Sequence, residues 1–479
     1  MRAQIVYADY SDPDLCEGHD GDYWLTASSF QCTPGLPILH SRDLVHWELV
    51  NYALERVLPE DRYADVRHGC GVWAPSIRRH DGMYYIYWGD PDYGVFMIRS
   101  TDPRGRWSEP LLVLEGKGII DPCPLWDDDG RAYLVNAWAN SRCGFNSVLT
   151  VREMSPDGTR VTGQPVMVYD GQTEGNHTIE GPKLYKHDGY YYILAPAGGV
   201  ETGWQVALRS RNIFGGYESK RVFDAEGIHQ GGLVGDKFVC FQERGAYGRV
   251  LHALDVNWKD GWPLLKRHKP SYKAAPVLWG GDAAGAKTGL YQWHANYQDV
   301  FGFPTDDGVR VYGHNVSEAF RNMWEVPNLY LKKFDGEAFR DTLRVTITAN
   351  AEGQQSGFIV MGRDYCRLSV ELADGAFVLK RIVCKDADRD GVEETETLAR
   401  IEAGRYNAGA MDNYTCNLSF ALRCDKGALC RFAYSLDGQT FTEIPGIFPA
   451  KAGKWIGAKY GVFSIAPQGR PRGWIDLKL

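Results

Sequence analysis

The feature that most constrains this chain is a turn-plus-strand pattern that recurs five times in its first half. It reads Gly21-Asp22-Tyr23-Trp24-Leu25, Asp81-Gly82-Met83-Tyr84-Tyr85-Ile86, Asp129-Gly130-Arg131-Ala132-Tyr133-Leu134, Asp188-Gly189-Tyr190-Tyr191-Tyr192-Ile193 and, more weakly, Gly235-Asp236-Lys237-Phe238-Val239. Asp-Gly ahead of aromatic and β-branched residues is a hairpin turn feeding a strand. A period of roughly 40 to 60 residues is what propeller blades leave in a sequence. A second motif often follows about twenty residues later, as Ser41-Arg42-Asp43-Leu44, Ser100-Thr101-Asp102-Pro103 and Ser210-Arg211-Asn212-Ile213. Five such units predict an all-β chain that opens with a five-bladed β-propeller over residues 1–270.

The register of the repeat locates a site. Nine residues before the hairpin glycines of the first four units stand Asp12, Trp73, Asp121 and Glu180. Each falls at the start of a blade's expected innermost strand, and innermost strands surround the central channel, so these positions converge. An acid before Pro or Gly is also an ordinary turn residue. Three acids at one register in a fold that gathers them point instead to chemistry. Packed carboxylates repel, so at least one holds its proton above the usual range, and that allows acid and base work at neutral pH on an acetal carbon.

Five segments carry a resemblance: Ala8-Asp9-Tyr10-Ser11-Asp12-Pro13-Asp14, Gly71-Val72-Trp73-Ala74-Pro75-Ser76, Ile120-Asp121-Pro122, Thr178-Ile179-Glu180-Gly181-Pro182 and His229-Gln230-Gly231-Gly232. Together, and in this order, they resemble glycoside hydrolase family 43. The resemblance implies that Asp12 is the general base, Glu180 the general acid, and Asp121 the residue that orients the acid and raises its pKa. It implies an exo-acting inverting hydrolase that releases terminal α-L-arabinofuranosyl or β-D-xylosyl residues from hemicellulose-derived oligosaccharides. The Ser11–Asp14 and His229–Gly232 variants look closest to arabinofuranosidase-like branches. An endo-acting arabinanase and a noncatalytic carbohydrate-binding propeller are the alternatives.

Around the trio, Trp73 offers a ring face for a sugar, and Phe30 stands where similar enzymes place a pocket aromatic; core packing accounts for either equally well. Arg249 resembles an arginine that bonds sugar hydroxyls, with a surface ion pair as the plain alternative. His229 resembles a histidine on the propeller axis that meets a hydrated calcium ion, with a hydrogen-bonded core histidine as the alternative. No cofactor is required by this reading.

After Trp258-Lys259-Asp260-Gly261-Trp262-Pro263 the composition shifts, and residues 271–289 read as a linker. Residues 290–479 again alternate in short strands, as in Leu343-Arg344-Val345-Thr346-Ile347-Thr348, which predicts a two-sheet β-sandwich. Similar enzymes carry a lectin-like jelly roll there, expected to brace the propeller rather than bind sugar. The loop Asp386-Ala387-Asp388-Arg389-Asp390-Gly391 starts like a calcium loop but has Thr397 where its last acid belongs, so it reads as a solvated turn.

The remaining features exclude other classes. A formal charge of -8 provides no basic field for nucleic acid. No apolar stretch reaches membrane-spanning or signal-peptide length, and eleven scattered cysteines without a CxxC pair suit a reducing cytoplasm. Serine-hydrolase, zincin and dinucleotide motifs are missing. A small oligosaccharide is the expected partner, and oligomeric state is not legible in the residues.

Overall fold

The computed structural model describes residues 4–224, 227–269, 272–282, 288–408 and 411–479. Contacts divide them into two compact units. The first takes in residues up to Leu58, Gly69–Arg244 and Arg249–Gly281; the second takes in Pro59–His68, Gly245–Gly248 and Asp282–Leu479.

The first unit is a five-bladed propeller. Blades two, three and four are four-stranded antiparallel sheets whose innermost strands are Trp73–His80, Ile119–Trp126 and Lys183–His187. Blade one starts at Asp14–Glu17 and gains a parallel outer strand, Leu278–Trp279, from within the expected linker. Residues 271 and 283–287 of that linker lie outside the described residues. Blade five starts at Ile228–Val234, and its strand Arg249–Lys259 also pairs with Gln4–Val6 from the chain's start. That pairing closes the ring, so Gln4–Val6 belongs to the last blade.

Local chemistry explains the two repeated motifs. In the Asp81-Gly82 and Asp188-Gly189 turns both residues have positive φ, as a two-residue hairpin of matching twist requires. The Ser-x-Asp motif is a pair of side-chain caps. Ser41 Oγ accepts from Leu44 N at 3.0 Å and Asp43 Oδ1 from His46 N at 2.8 Å. Ser100 with Asp102 and Ser210 with Asn212 repeat the arrangement. Blade three keeps it in a form the sequence motif concealed, with Asp157 bonded to Ser155 and Thr159. Each blade's middle strands are apolar on both faces because neighbouring blades cover both, as Tyr133, Val135, Ile193 and Val206 show.

The second unit is a sandwich of two eight-stranded sheets, one carrying Gln355–Met361 and Lys459–Pro467, the other Phe339–Ala349 and Met411–Asp425. Phe358, Phe420, Phe432 and Tyr460 pack within it. The expected solvated loop at Asp386 is a short turn with Asp386 and Asp390 in left-handed conformation.

Candidate active site

The heads of four of the five innermost strands share a left-handed residue. Asp12, Ala74, Asp121 and Gly181 all have positive φ, between 38° and 57°. The ladders of blades two, three and five slip register at Trp73/Ser76, Ile120/Cys123 and His229/Gly231. Bulges of this kind re-aim side chains, and left-handed non-glycine residues persist only where the surroundings hold them. Asp12, Asp121 and Glu180 come together here: burial, Asp121 and Asp12 all act on the Glu180 carboxyl.

Each acid has its own setting. Asp12 is buried and receives Ser28 Oγ–H at 2.7 Å on Oδ2 and Arg249 Nη1 at 3.0 and 3.1 Å on its two oxygens. Ser28 Oγ in turn accepts the Ala74 N–H at 2.7 Å, so blade two fixes the hydroxyl that fixes Asp12. Asp121 is buried and accepts the Gly181 N–H at 2.7 Å on Oδ2, which ties it to the residue after Glu180. Gly181 has a φ of 57°, and a Cβ there would lie 2.6 Å from the Gln230 side chain, which would have to move.

The electrostatics follow from that crowding. Burial pushes the Glu180 carboxyl up to about 8, and Asp121 and Asp12 add to the rise. Water still reaches about a third of the side chain (36%), so the carboxyl is packed by protein on some sides and accessible on another. Burial also lifts Asp121, to about 7, against the pull of the Gly181 N–H, Lys183 and Arg249. The two carboxyls titrate as a pair that holds one proton near neutrality. The Gly181 N–H and Lys183 favour the anion on Asp121, Arg249 acts on both acids, and Glu180 has no such N–H or lysine beside it.

The other expected residues sort out as follows. Arg249 is buried, so it forms no surface ion pair: it grips Asp12 and approaches Glu243 at 3.5 Å through Nε. His229 is buried with Nε2 3.5 Å from Glu180 Oε1. Burial, with Arg249, drives its pKa down to about 3, so the ring is neutral. Neither ring nitrogen has a hydrogen-bond partner among the described residues. Trp73 is half-buried and anchored by Nε1 on Gly69 O at 2.9 Å. Phe30 is buried, with φ of 53°, and exchanges two 3.1 Å backbone bonds with Val72.

Sequence reasoning missed the supports. Asp14, to which the sequence assigned no role, is fully buried and accepts from Ile77 N at 2.9 Å and Arg78 Nη1 at 2.5 Å. Arg78 also reaches Cys123 Sγ at 3.0 Å. Lys183 is wholly buried against blade two. These residues recur in no blade register, and only a charged residue inside an apolar strand pattern could have marked them. Among the described residues, no group of three or more His, Cys, Asp or Glu is arranged to hold a metal ion.

Comparison with known proteins agrees with this two-part fold. Residues 1–263 match the model of glycosyl hydrolases family 43, and residues 285–478 match the beta xylosidase C-terminal concanavalin A-like domain. A putative beta-xylosidase of Xylanibacter ruminicola is 28% identical over 96% of this chain and 86% of its own. A non-reducing end alpha-L-arabinofuranosidase of Bacteroides ovatus is 35% identical over 55% of this chain and 53% of its own. The solved xylan beta-1,4-xylosidase of Bacillus halodurans C-125 shares the fold over all of both chains, with a TM-score of 0.78 at 20% identity. With a propeller that matches the catalytic family over more than half the chain, and with the acids of three blades meeting at its strand heads, the chain belongs to glycoside hydrolase family 43.

Proposed function

We propose that this glycoside hydrolase acts at chain ends, releasing terminal β-D-xylosyl and α-L-arabinofuranosyl residues with inversion. Asp12 takes a proton from a water molecule as that water attacks the anomeric carbon. Glu180 gives its proton to the glycosidic oxygen as the carbon–oxygen bond breaks. Inversion requires the two carboxyls to stand about 6.5 to 9.5 Å apart, with the water between. The observation that carries this reading is the division of charge: Glu180 is pushed up to about 8, while Asp12 receives a guanidinium and a hydroxyl. A carboxylate has about four acceptor positions, so Asp12 retains capacity for the water.

Both pentoses are assigned because relatives named for each resemble the chain, one over nearly its whole length and one more closely over the propeller. Trp73 and Phe30 would shape the sugar pocket, and Arg249 would hold the base. A cation on the axis fits the neutral His229 ring, whose nitrogens have no hydrogen-bond partner among the described residues and which could accept from the ion's water shell. It would supply positive charge beside the acids. With no multidentate ligand group among the described residues, it would keep most of its waters. All eleven thiols are free, which supports a reducing, cytoplasmic setting.

The test is hydrolysis of nitrophenyl β-xyloside and nitrophenyl α-arabinofuranoside side by side, with the first-formed anomer read by NMR. Turnover with an inverted anomer is expected. Retention of configuration would contradict the mechanism, binding without turnover would favour a carbohydrate-binding propeller, and cleavage of linear arabinan alone would favour the endo reading.

A further inference from the structure

Behind the three acids lies a cation that this mechanism does not use. Lys183 opens the innermost strand of blade four, three residues after Glu180, and its side chain is wholly buried. Its Nζ donates to Pro75 O at 2.9 Å and to Ser76 Oγ at 2.7 Å, both on blade two. Ser76 Oγ–H in turn donates a hydrogen bond to Pro122 O at 2.6 Å, on blade three beside Asp121. One ammonium group therefore ties together three strand heads. Both of these acceptors are uncharged. The Asp14 carboxylate stands 4.0 Å off and is already bonded to Arg78 and the Ile77 N–H. A buried charge held mainly by neutral oxygens acts strongly on nearby acids, because little water screens it.

We propose that Lys183 is a positioning residue for the acid pair: through Ser76 and Pro122 it fixes the strand head that carries Asp121, and its charge keeps the pair's proton on Glu180. The proposal rests on Glu180 being the general acid. Asp12, Glu180, Arg249, Lys183 and the Gly181 N–H face Asp121. Lys183 itself faces Asp14, which is shared with Arg78. Lys183 acts on Asp121, whereas Glu180 is governed by burial, Asp121, Asp12 and Arg249. Removing the ammonium raises Asp121 toward Glu180. More molecules then carry the proton on Asp121, away from the leaving oxygen.

The experiment compares wild type, Lys183→Gln and Ser76→Ala across pH on a methyl pentoside, whose leaving group needs a proton. In Lys183→Gln, kcat falls about 10- to 100-fold with KM little changed, a loss within the range of general acid catalysis. Its acid limb also moves to higher pH, because an acid that loses a cationic neighbour protonates more readily. Ser76→Ala keeps the cation and breaks the relay, so kcat falls while the acid limb stays at its wild-type position. An unmoved acid limb in Lys183→Gln, with activity that simply tracks the folded fraction, would overturn the proposal. If Lys183→Gln does not fold, wild-type kcat in Ser76→Ala would overturn it. Glu180→Gln serves as the control: wild-type turnover there would bring down the assignment of the acid itself, while a crippled Glu180→Gln beside an unaffected Lys183→Gln would remove only this proposal.

Discussion

Two glutamates, one in each unit, stand in opposite surroundings. In the sandwich, Glu393 receives Tyr365 OH at 2.5 Å and Arg367 through Nε at 3.0 Å and Nη2 at 2.8 Å. Arg367 spends a further donor on Gln355 at 2.7 Å. In the propeller, Glu180 faces two other acids and a neutral imidazole. The first arrangement saturates its polar groups and serves stability, because a buried pair is worth having when every donor is used. The second leaves like charges together and left-handed residues at the strand heads, which costs stability and yields a proton that can be given away.

Conservative changes at the two places should therefore have opposite effects. Asp121→Asn keeps an acceptor for Gly181 but removes a like charge. Its kcat should fall about 100- to 10,000-fold, as for loss of acid–base function, while its melting temperature stays at or above that of wild type. A fall in melting temperature without loss of rate would erase the contrast. Glu393→Gln should do the reverse, leaving Arg367 without its anion at a cost of about 3 to 5 kcal/mol, as measured by denaturant unfolding, with kcat per folded molecule unchanged.

Smaller effects sharpen the same contrast. Ser28→Ala removes one hydrogen bond to a charged acid, worth about 1.5 kcal/mol or roughly tenfold in kcat, and should act on rate more than on unfolding. The pH dependence of stability supplies the mildest test. Glu180 binds its proton more tightly folded than unfolded, so its contribution is present at low pH and lost as pH rises through about 8. Wild type should lose more melting temperature between about pH 5 and 9 than Glu180→Gln, in which Asp121 still titrates but the Glu180 proton is gone.

The propeller was legible because Asp-Gly turns have only a few conformations open to them and the fold repeats them. Asp12, Asp121 and Glu180 were legible because the repeat assigns them one register. Their supports were not. Ser28 lies in a loop whose partners, Asp12 and Ala74, are distant in sequence, and no local pattern predicts such a bond. Lys183 reads as one more polar residue in Gly181-Pro182-Lys183, and only the approach of Pro75 and Ser76 shows it buried. Arg249 was found by motif, yet its grip on Asp12 depends on blade five closing against blade one. The closing strand Gln4–Val6 is too short to show a period at all.

The central claim is that Glu180 delivers the proton to the departing sugar oxygen. It is tested most directly by the turnover of wild type and Glu180→Gln on two xylosides that differ only in leaving group, methyl and dinitrophenyl. The account predicts a loss of about 1,000-fold on the methyl xyloside, whose alkoxide needs the proton, and little loss on the dinitrophenyl xyloside, which departs without it. Equal losses on both substrates would contradict it.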